Sequence, residues 1–145
     1  MRAHEVWSFE HTLDCAVPLQ FAWQFWTDVR NWKLDADVER VELSGPFAEG
    51  SGGTTFTRSA GPITWRIVSV EPEREAVLEV SAPGGVIRFR WTFDNLGGRT
   101  RMTQRVSIPE ESASIAPIVA SIFEPGIPAG MQKMCEAMKR AAGIE

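Results

Sequence analysis

Apolar and polar residues alternate along most of the chain, and helical spacing appears only after the first strand and near the C-terminus. In the segment Glu5–Cys15 the residues Trp7, Phe9, His11 and Leu13 share one parity, and polar residues take the other. A period of two with one apolar face is typical of a half-buried strand. We therefore expect His11 to point inward, on the same side as the two aromatic residues.

A short helical region is expected directly after this strand. Pro18 suits the first turn of a helix, where its missing amide hydrogen is not needed. The following apolar residues recur with a period of 3.6 and predict one buried helix face: Phe21, Ala22, Phe25, Trp26 and Val29. Around Asp28 the pattern predicts a break, followed by a second short helix through Trp32.

The helical period is then absent as far as Ile108, and turn residues divide this region into short alternating segments. Ser44-Gly45-Pro46 and Pro83-Gly84-Gly85 are examples of the separating turns. In these segments apolar residues occupy every second position and polar residues the positions between. This pattern predicts an antiparallel meander whose sheet is covered on one face only. The predicted strands are Val38–Leu43, Thr54–Arg58, Ile63–Val70, Ala76–Ala82, Val86–Asp94 and Thr100–Ile108.

The C-terminal part predicts a helix with an interruption. Pro125 and Pro128 remove backbone donors inside the helical pattern, so we expect a kink or a break there. The portion in front of the break is then a candidate lid over the opening of a pocket. Behind it, one apolar stripe faces the sheet, made of Met131, Met134, Cys135, Met138 and Ala142.

Composition limits the classes of function. The 145 residues match one domain, 1–145, and 43% hydrophobic residues allow a real core. A net charge of -4 argues against a nucleic-acid partner, because phosphate binding depends on clustered lysine and arginine. No apolar run approaches the length of a membrane span. Six tryptophans and eight phenylalanines without any tyrosine supply much apolar surface with few polar groups.

The two cysteines predict no metal site. Cys15 and Cys135 are far apart in sequence and match no spacing of metal ligands, and the two histidines are scattered. Low cysteine content without a secretory signal favours a reduced, cytoplasmic setting. We therefore expect no metal and no cofactor.

The order of elements and five local stretches of the chain carry a resemblance to a known family. The stretches are Val17-Pro18-Leu19-Gln20-Phe21-Ala22-Trp23, Trp26-Thr27-Asp28, Asn31-Trp32, Gly50 to Phe56, and Phe123-Glu124-Pro125-Gly126-Ile127. With them the chain resembles the START-like (SRPBCC) superfamily, within which the polyketide cyclase/dehydrase-like branch is most similar. The resemblance implies an α+β helix-grip fold, in which an antiparallel curved sheet of about seven strands wraps around a long C-terminal helix, with two short helices after strand 1. It also implies an apolar cavity between sheet and helix.

Two residues are candidates for proton transfer. His11 lies on an apolar strand face and has an ordinary pKa near neutrality. Glu124 stands beside the proline-glycine segment between two apolar parts of the helix, where burial would raise the pKa of a carboxyl group. The alternative interpretation is structural for both: a buried histidine bonded to a neighbour, and a carboxylate facing solvent at a helix end.

The candidate ligand-binding residues come from both walls of the expected cavity. Methionine is flexible and polarisable, so a methionine stripe suits an adaptable pocket as well as a plain core. The strand of Trp65 carries apolar residues at both odd and even positions, so the alternation does not fix the side on which Trp65 lies. The set is Phe9, His11, Trp65, Phe89, Trp91, Met131, Met134 and Met138.

Three functions fit these patterns. The first is binding of a small hydrophobic or aromatic ligand, lipid-like or polyketide-like, without chemical change. The second is a cofactor-independent cyclase or dehydratase acting on such a ligand. The third is a cavity-poor domain that works through protein contacts, and a homodimer is compatible with any of them. A cavity of roughly 300 Å³ or more beside the terminal helix distinguishes the first two from the third.

Overall fold

The computed structural model describes residues 5–144, and its main element is one antiparallel sheet of seven strands. The order of the strands across the sheet is β1-β7-β6-β5-β4-β3-β2, so every neighbour except the β1–β7 pair is also a neighbour in sequence. The strands are β1 (Glu5–Cys15), β2 (Val38–Ser44), β3 (Gly52–Thr57), β4 (Gly61–Glu71), β5 (Glu75–Ala82), β6 (Gly85–Asn95) and β7 (Thr100–Pro109).

Two helical regions pack on the sheet. Helix α1 (Leu19–Thr27) and a short 3₁₀ helix (Val29–Trp32) follow β1. A second 3₁₀ helix (Glu110–Ile115) leads into the long C-terminal helix α2 (Ala116–Ala141). The predicted α+β helix-grip fold is confirmed, with seven strands, two short helices after strand 1 and a terminal helix in the grip of the sheet.

A bulge explains the mixed parity of β4. The register between β4 and β5 shifts between Ile67 and Ser69, so one extra residue stands in β4. Trp65 and Ile67 lie on the inner face before the bulge, and Val70 packs against the same core after it. A β-bulge moves later side chains to the opposite parity, which is why the apolar pattern of this strand looked ambiguous.

Helix α2 continues across both prolines, so of the expected kink or break at Pro125–Pro128 the break is wrong. The front portion is also packed: Ile115 and Val119 are buried, and the Oγ of Ser112 accepts a hydrogen bond from the Val86 amide at 3.0 Å. A proline costs a helix its local hydrogen bonds, but tertiary packing outweighs that cost here. A hinged lid over the pocket is therefore not supported.

The apolar stripe of α2 fixes the helix over one edge of the sheet. Its buried residues are Val119, Ile127, Met131, Met134, Cys135 and Met138, and its contacts with the sheet concentrate on β1 and β7. The helix backbone therefore does not cover the inner face of β4, β5 and β6 closely. That face has to be covered by large side chains or by the contents of a cavity.

The two cysteines form a disulfide, which corrects the expectation that they are separate and reduced. Cys15 ends β1 and Cys135 lies on the buried stripe of α2, with 5.7 Å between their Cα atoms. This distance lies in the usual range for a bridge. A sequence separation of 120 residues hides the proximity, because only the folded sheet brings the first strand under the last helix.

The segment Glu110–Ala141 is long and apolar enough to cross a membrane by length and composition, with a mean hydropathy of 1.2 over 18 residues. The expectation that no segment reaches this length is therefore wrong. A core helix passes the same test, and here Ile127 and Met131 are buried on the sheet. Along this buried side α2 is the core helix of the fold, whereas Ile118 and Ile122 are exposed.

The outer face of the sheet carries paired charges. Arg66, Glu79 and Arg88 are opposite one another on β4, β5 and β6, and Glu79 accepts hydrogen bonds from both arginines. The hydrogen bond from Arg88 is the main reason that the pKa of Glu79 lies below its usual value, and Arg66 adds to the effect. The predicted solvated face is thus a cross-strand ion network.

We expect reduction of the Cys15–Cys135 disulfide to lower the free energy of unfolding by about 2–4 kcal/mol, because the bridge restricts a long loop in the unfolded chain. Urea unfolding with and without a dithiol reductant measures the difference. The variant C15A/C135A should have the stability of the reduced protein and should not respond to the reductant. Two free thiols in the unfolded, unreduced protein would contradict the bridge.

We expect E79Q to remove part of the pH dependence of stability on the acid side. A lowered pKa means that the ionised Glu79 stabilises the fold above its ordinary pKa of 4.5, and that this contribution disappears as the pH falls through the lowered value. The loss at pH 7 should be at most about 1 kcal/mol, because both arginines are exposed. Urea unfolding at a series of pH values from 7 downward measures this dependence. E39Q, on the exposed Glu39 of β2, is the matched control and should follow the wild type.

Candidate functional site

A cavity of about 510 Å³ lies between the inner face of the sheet and α2. The exposed residues of its wall belong to the loop after the first 3₁₀ helix and to α2, so the opening lies between these two segments. The wall consists of Trp26, Trp32, Leu34, Asp35, Thr55, Trp65, Leu78, Val80, Phe89, Trp91, Gln104, Ile122, Phe123, Gly126, Ile127, Ala129, Gly130, Lys133 and Met134.

Four indole rings form a continuous part of the wall. Trp26 is at the centre, 1% exposed, with its ring centroid 5.5 Å from Trp32 and 5.1 Å from Trp91. Trp32 extends the group to Trp65, again at 5.1 Å. Such spacings are typical of favourable aromatic pairs. The helical pattern behind Pro18 therefore positions Trp26 as the link between α1 and the cavity wall.

A glycine makes room for Trp65. Gly53 on β3 is opposite Trp65 on β4, and a methyl group added at Gly53 would overlap the indole ring. The ring lies across the glycine and donates a hydrogen bond from Nε1 to the Oγ1 of Thr55 at 3.1 Å. A glycine inside a strand commonly marks such a close approach. Gly53 thus fixes the orientation of one wall residue.

Four wall residues carry polar side chains. Asp35 and Lys133 are exposed at the opening, one on each side. Thr55 already accepts the bond from Trp65. Gln104 differs from these three, because it is half-buried on the inner face of β7 between the fully buried Met102 and Val106. The cavity is therefore apolar along most of its length, with one amide on the sheet.

The structure places half of the expected ligand-binding residues in the cavity wall, namely Trp65, Phe89, Trp91 and Met134. Met131 and Met138 are fully buried on the sheet-facing side of α2 and belong to the core instead. Phe9 is half-buried on β1 and packs against that core outside the wall. The methionine stripe is thus mainly core, because α2 lies over β1 rather than over the middle of the sheet.

Neither candidate for proton transfer lines the cavity. His11 is half-buried on the inner face of β1, as its parity predicts, and is opposite Gln104 of β7. Glu124 is exposed on α2, and its Oε2 accepts a hydrogen bond from Nε1 of Trp7 at 3.2 Å. This bond ties α2 to β1. Catalytic roles for His11 and Glu124 stay predictions that the cavity does not support.

Several wall residues were not expected from sequence. Trp26 and Trp32 were assigned to short helices, whose packing over the sheet the sequence pattern does not show. Gln104 could have been identified from the sequence, because it is the polar residue among the otherwise apolar inward positions of β7. Lys133 is exposed on α2, at the opening of the cavity.

The described residues contain no group of three or more histidine, cysteine, aspartate or glutamate side chains placed to hold a metal ion. Both cysteines of the chain are in the disulfide. The cavity wall offers one carboxylate, one ammonium group, one hydroxyl and one amide, and this set favours recognition of an organic molecule.

A family model described as "Polyketide cyclase / dehydrase and lipid transport" matches residues 6–143. The match therefore includes all seven strands except the first residue of β1, both helical regions and the whole cavity wall. A search of the curated proteins finds no match to the chain.

Solved structures of similar fold come from bacteria and plants. The Zhui aromatase/cyclase from Streptomyces sp. R1128 has a TM-score of 0.77 at 18% identity, over 96% of this chain and 99% of that one. A structural-genomics protein from Nitrosomonas europaea has a TM-score of 0.76 at 14% identity, over 94% and 96%. Norcoclaurine synthase from Thalictrum flavum, in complex with dopamine and hydroxybenzaldehyde, has a TM-score of 0.66 at 12% identity, over 96% and 88%. At these identities the likeness concerns the fold.

We expect G53A to displace the Trp65 ring and to lower the free energy of unfolding by about 1–3 kcal/mol, because the added methyl group has no space. Near-ultraviolet circular dichroism and urea unfolding report the two effects. G126A is the matched control: a Cβ at Gly126 meets nothing within 4 Å, and alanine inside a helix should stabilise it by about 0.5–1 kcal/mol. Equal behaviour of the two variants would contradict the role of Gly53.

Proposed function

Because the chain belongs to the polyketide cyclase/dehydrase and lipid transport family, we propose that it acts as a single domain that binds a small hydrophobic or aromatic molecule in the 510 Å³ cavity. The observation that carries this proposal is the wall itself, with four tryptophans and two phenylalanines around an open space. Ligand pockets commonly have volumes of about 300–1,000 Å³ and apolar walls with few polar groups.

The chemistry of the wall supports an aromatic or polyketide-like ligand over a plain acyl chain. Flat rings are attracted to aromatic side chains in stacked and edge-to-face arrangements. Each such pair contributes about 0.5–1.5 kcal/mol of stabilisation beyond that from the burial of apolar surface. The rings of Trp32, Trp65 and Trp91 line the space beside Trp26. A plain acyl chain would be stabilised only by the burial of its apolar surface.

A cyclase or dehydratase is the second candidate, and the ionisable residues at the opening favour it. Asp35 and Lys133 both line the cavity, and neither forms an ion pair with another described residue. A carboxylate and an ammonium group beside one substrate are suited to proton transfer. One structural neighbour is an aromatase/cyclase by its printed name. If the chain is such an enzyme, D35N or K133M abolishes turnover and preserves binding.

The third candidate, a cavity-poor interaction subunit, does not fit a cavity of this size. Homodimer formation stays a prediction without support from a contact. A cytoplasmic location also stays a prediction, and the Cys15–Cys135 disulfide is more typical of an oxidising compartment.

We expect V80F to lower the affinity for 1-anilinonaphthalene-8-sulfonate at least about tenfold, a change of about 1.4 kcal/mol, because the larger ring occupies the cavity. Val80 lies on the inner face of β5, and Val77 lies on the outer face of the same strand. V77F is the matched control and should bind the probe as the wild type does. Fluorescence titration measures both affinities.

Native mass spectrometry of freshly purified protein, followed by thermal shift with aromatic polyketides and lipids, tests the ligand class. A stabilising ligand raises the melting temperature in proportion to its affinity and concentration. Stabilisation by aromatic compounds above lipids is the expected result. A protein that carries nothing, shifts with no compound and binds the probe equally in V80F and V77F would contradict the proposal.

A further inference from the structure

Gln104 is a half-buried polar side chain of the cavity wall with no hydrogen-bond partner among residues 5–144. Its neighbours along the inner face of β7, Met102 and Val106, are fully buried, whereas Gln104 is half-buried because it borders the cavity. Its cross-strand neighbours are His11 and Trp91. Within residues 5–144 no side chain or backbone group forms a hydrogen bond with its amide.

The other polar wall residues have different surroundings. Thr55 accepts a hydrogen bond from the indole of Trp65, and Oδ1 of Asp35 accepts one from the backbone amide of Asp37 at 2.9 Å. Asp35 and Lys133 are exposed and stay in contact with water when the cavity is filled. Gln104 and the indole N–H groups of Trp26 and Trp91, which form no hydrogen bond with residues 5–144 either, therefore depend on the cavity contents or on water. Of these three groups only the amide of Gln104 can both donate and accept.

We propose that Gln104 is the specificity-determining residue of the cavity and selects ligands that carry a carbonyl or hydroxyl oxygen at their buried end. The inference rests on the proposed binding function. A hydrocarbon in the cavity would displace water from the amide and leave it unpaired, which is unfavourable in an apolar site. A carbonyl accepts from the amide NH₂, and a hydroxyl can also donate to the amide oxygen.

The position of Gln104 also indicates the shape of the ligand. Strands β7 and β3 are separated by four inter-strand spacings, about 19 Å along the curved sheet. Thr55 lies at the β3 end of the cavity, and the tryptophans and Phe89 lie between. A flat apolar body with an oxygen at its inner end fits this arrangement, with its outer end near Asp35 and Lys133.

The test compares 2-naphthol with 2-methylnaphthalene, which differ in a hydroxyl against a methyl group of similar size. Isothermal titration calorimetry measures both affinities for the wild type and for Q104M, in which the amide is replaced by an apolar chain of similar length. We expect the preference for 2-naphthol, expressed as the ratio of the two affinities, to fall about fivefold to tenfold in Q104M, the usual effect of one hydrogen bond. The affinity of Q104M for 2-methylnaphthalene should be equal or higher.

Q132M is the matched control, because Gln132 is exposed on α2 outside the cavity wall and the substitution is the same. It should keep the wild-type ratio, and urea unfolding should show that both variants are folded. If both probes bind and the ratio is the same in wild type and Q104M, the role of Gln104 is overturned while ligand binding stands. If neither probe binds the wild type, both this inference and aromatic ligand binding are overturned.

Discussion

The position of α2 over one edge of the sheet is the constraint on which the rest of the structure depends. The buried stripe of the helix packs mainly on β1 and β7. The disulfide and the Trp7–Glu124 hydrogen bond both attach the helix to β1. A helix can cover only a limited width of a curved sheet. The inner face of β4, β5 and β6 is therefore left to tryptophans and to the cavity, so the site is a consequence of how the core is packed.

The absence of tyrosine matters for the chemistry of this space. Tyrosine would bring hydroxyl groups to the wall, whereas the chain uses tryptophan and phenylalanine there. Two of the indole nitrogens are occupied within the wall, since Trp32 donates to the backbone oxygen of Trp26 and Trp65 donates to Thr55. The rings thus present mainly apolar surface, to which Gln104 on β7 adds one amide group.

The sequence pattern predicted the fold well, because each strand has one buried face and alternates clearly. The strand bounds agree within about two residues, which is the usual uncertainty of such assignments. The errors concern long-range contacts. Nothing local shows that Cys15 and Cys135 meet, and the local effect of Pro125 and Pro128 was overestimated because the packing of α2 is not visible in its own sequence.

The site was harder to predict than the fold for the same reason. Parity identified Trp65, Phe89 and Trp91 as inward, and all three line the cavity. Parity also pointed inward at Phe9 and His11, but α2 covers β1, and both residues lie outside the cavity wall. Which inward residues border a ligand depends on where the helix lies across the sheet, and local periodicity does not contain that information.

The disulfide also changes how the molecule responds to mechanical force. It joins residues 120 apart, so a pull on the two ends is carried across the bridge and bypasses the chain between them. Among the helices and strands of residues 5–144, only β1 and the last turns of α2 lie outside that covalent loop. Stretching can peel β1 from β7 as far as Cys15, and then the load passes directly to Cys135. From that point the covalent loop that contains β2 to β7 and most of the cavity wall no longer lies between the two points of load.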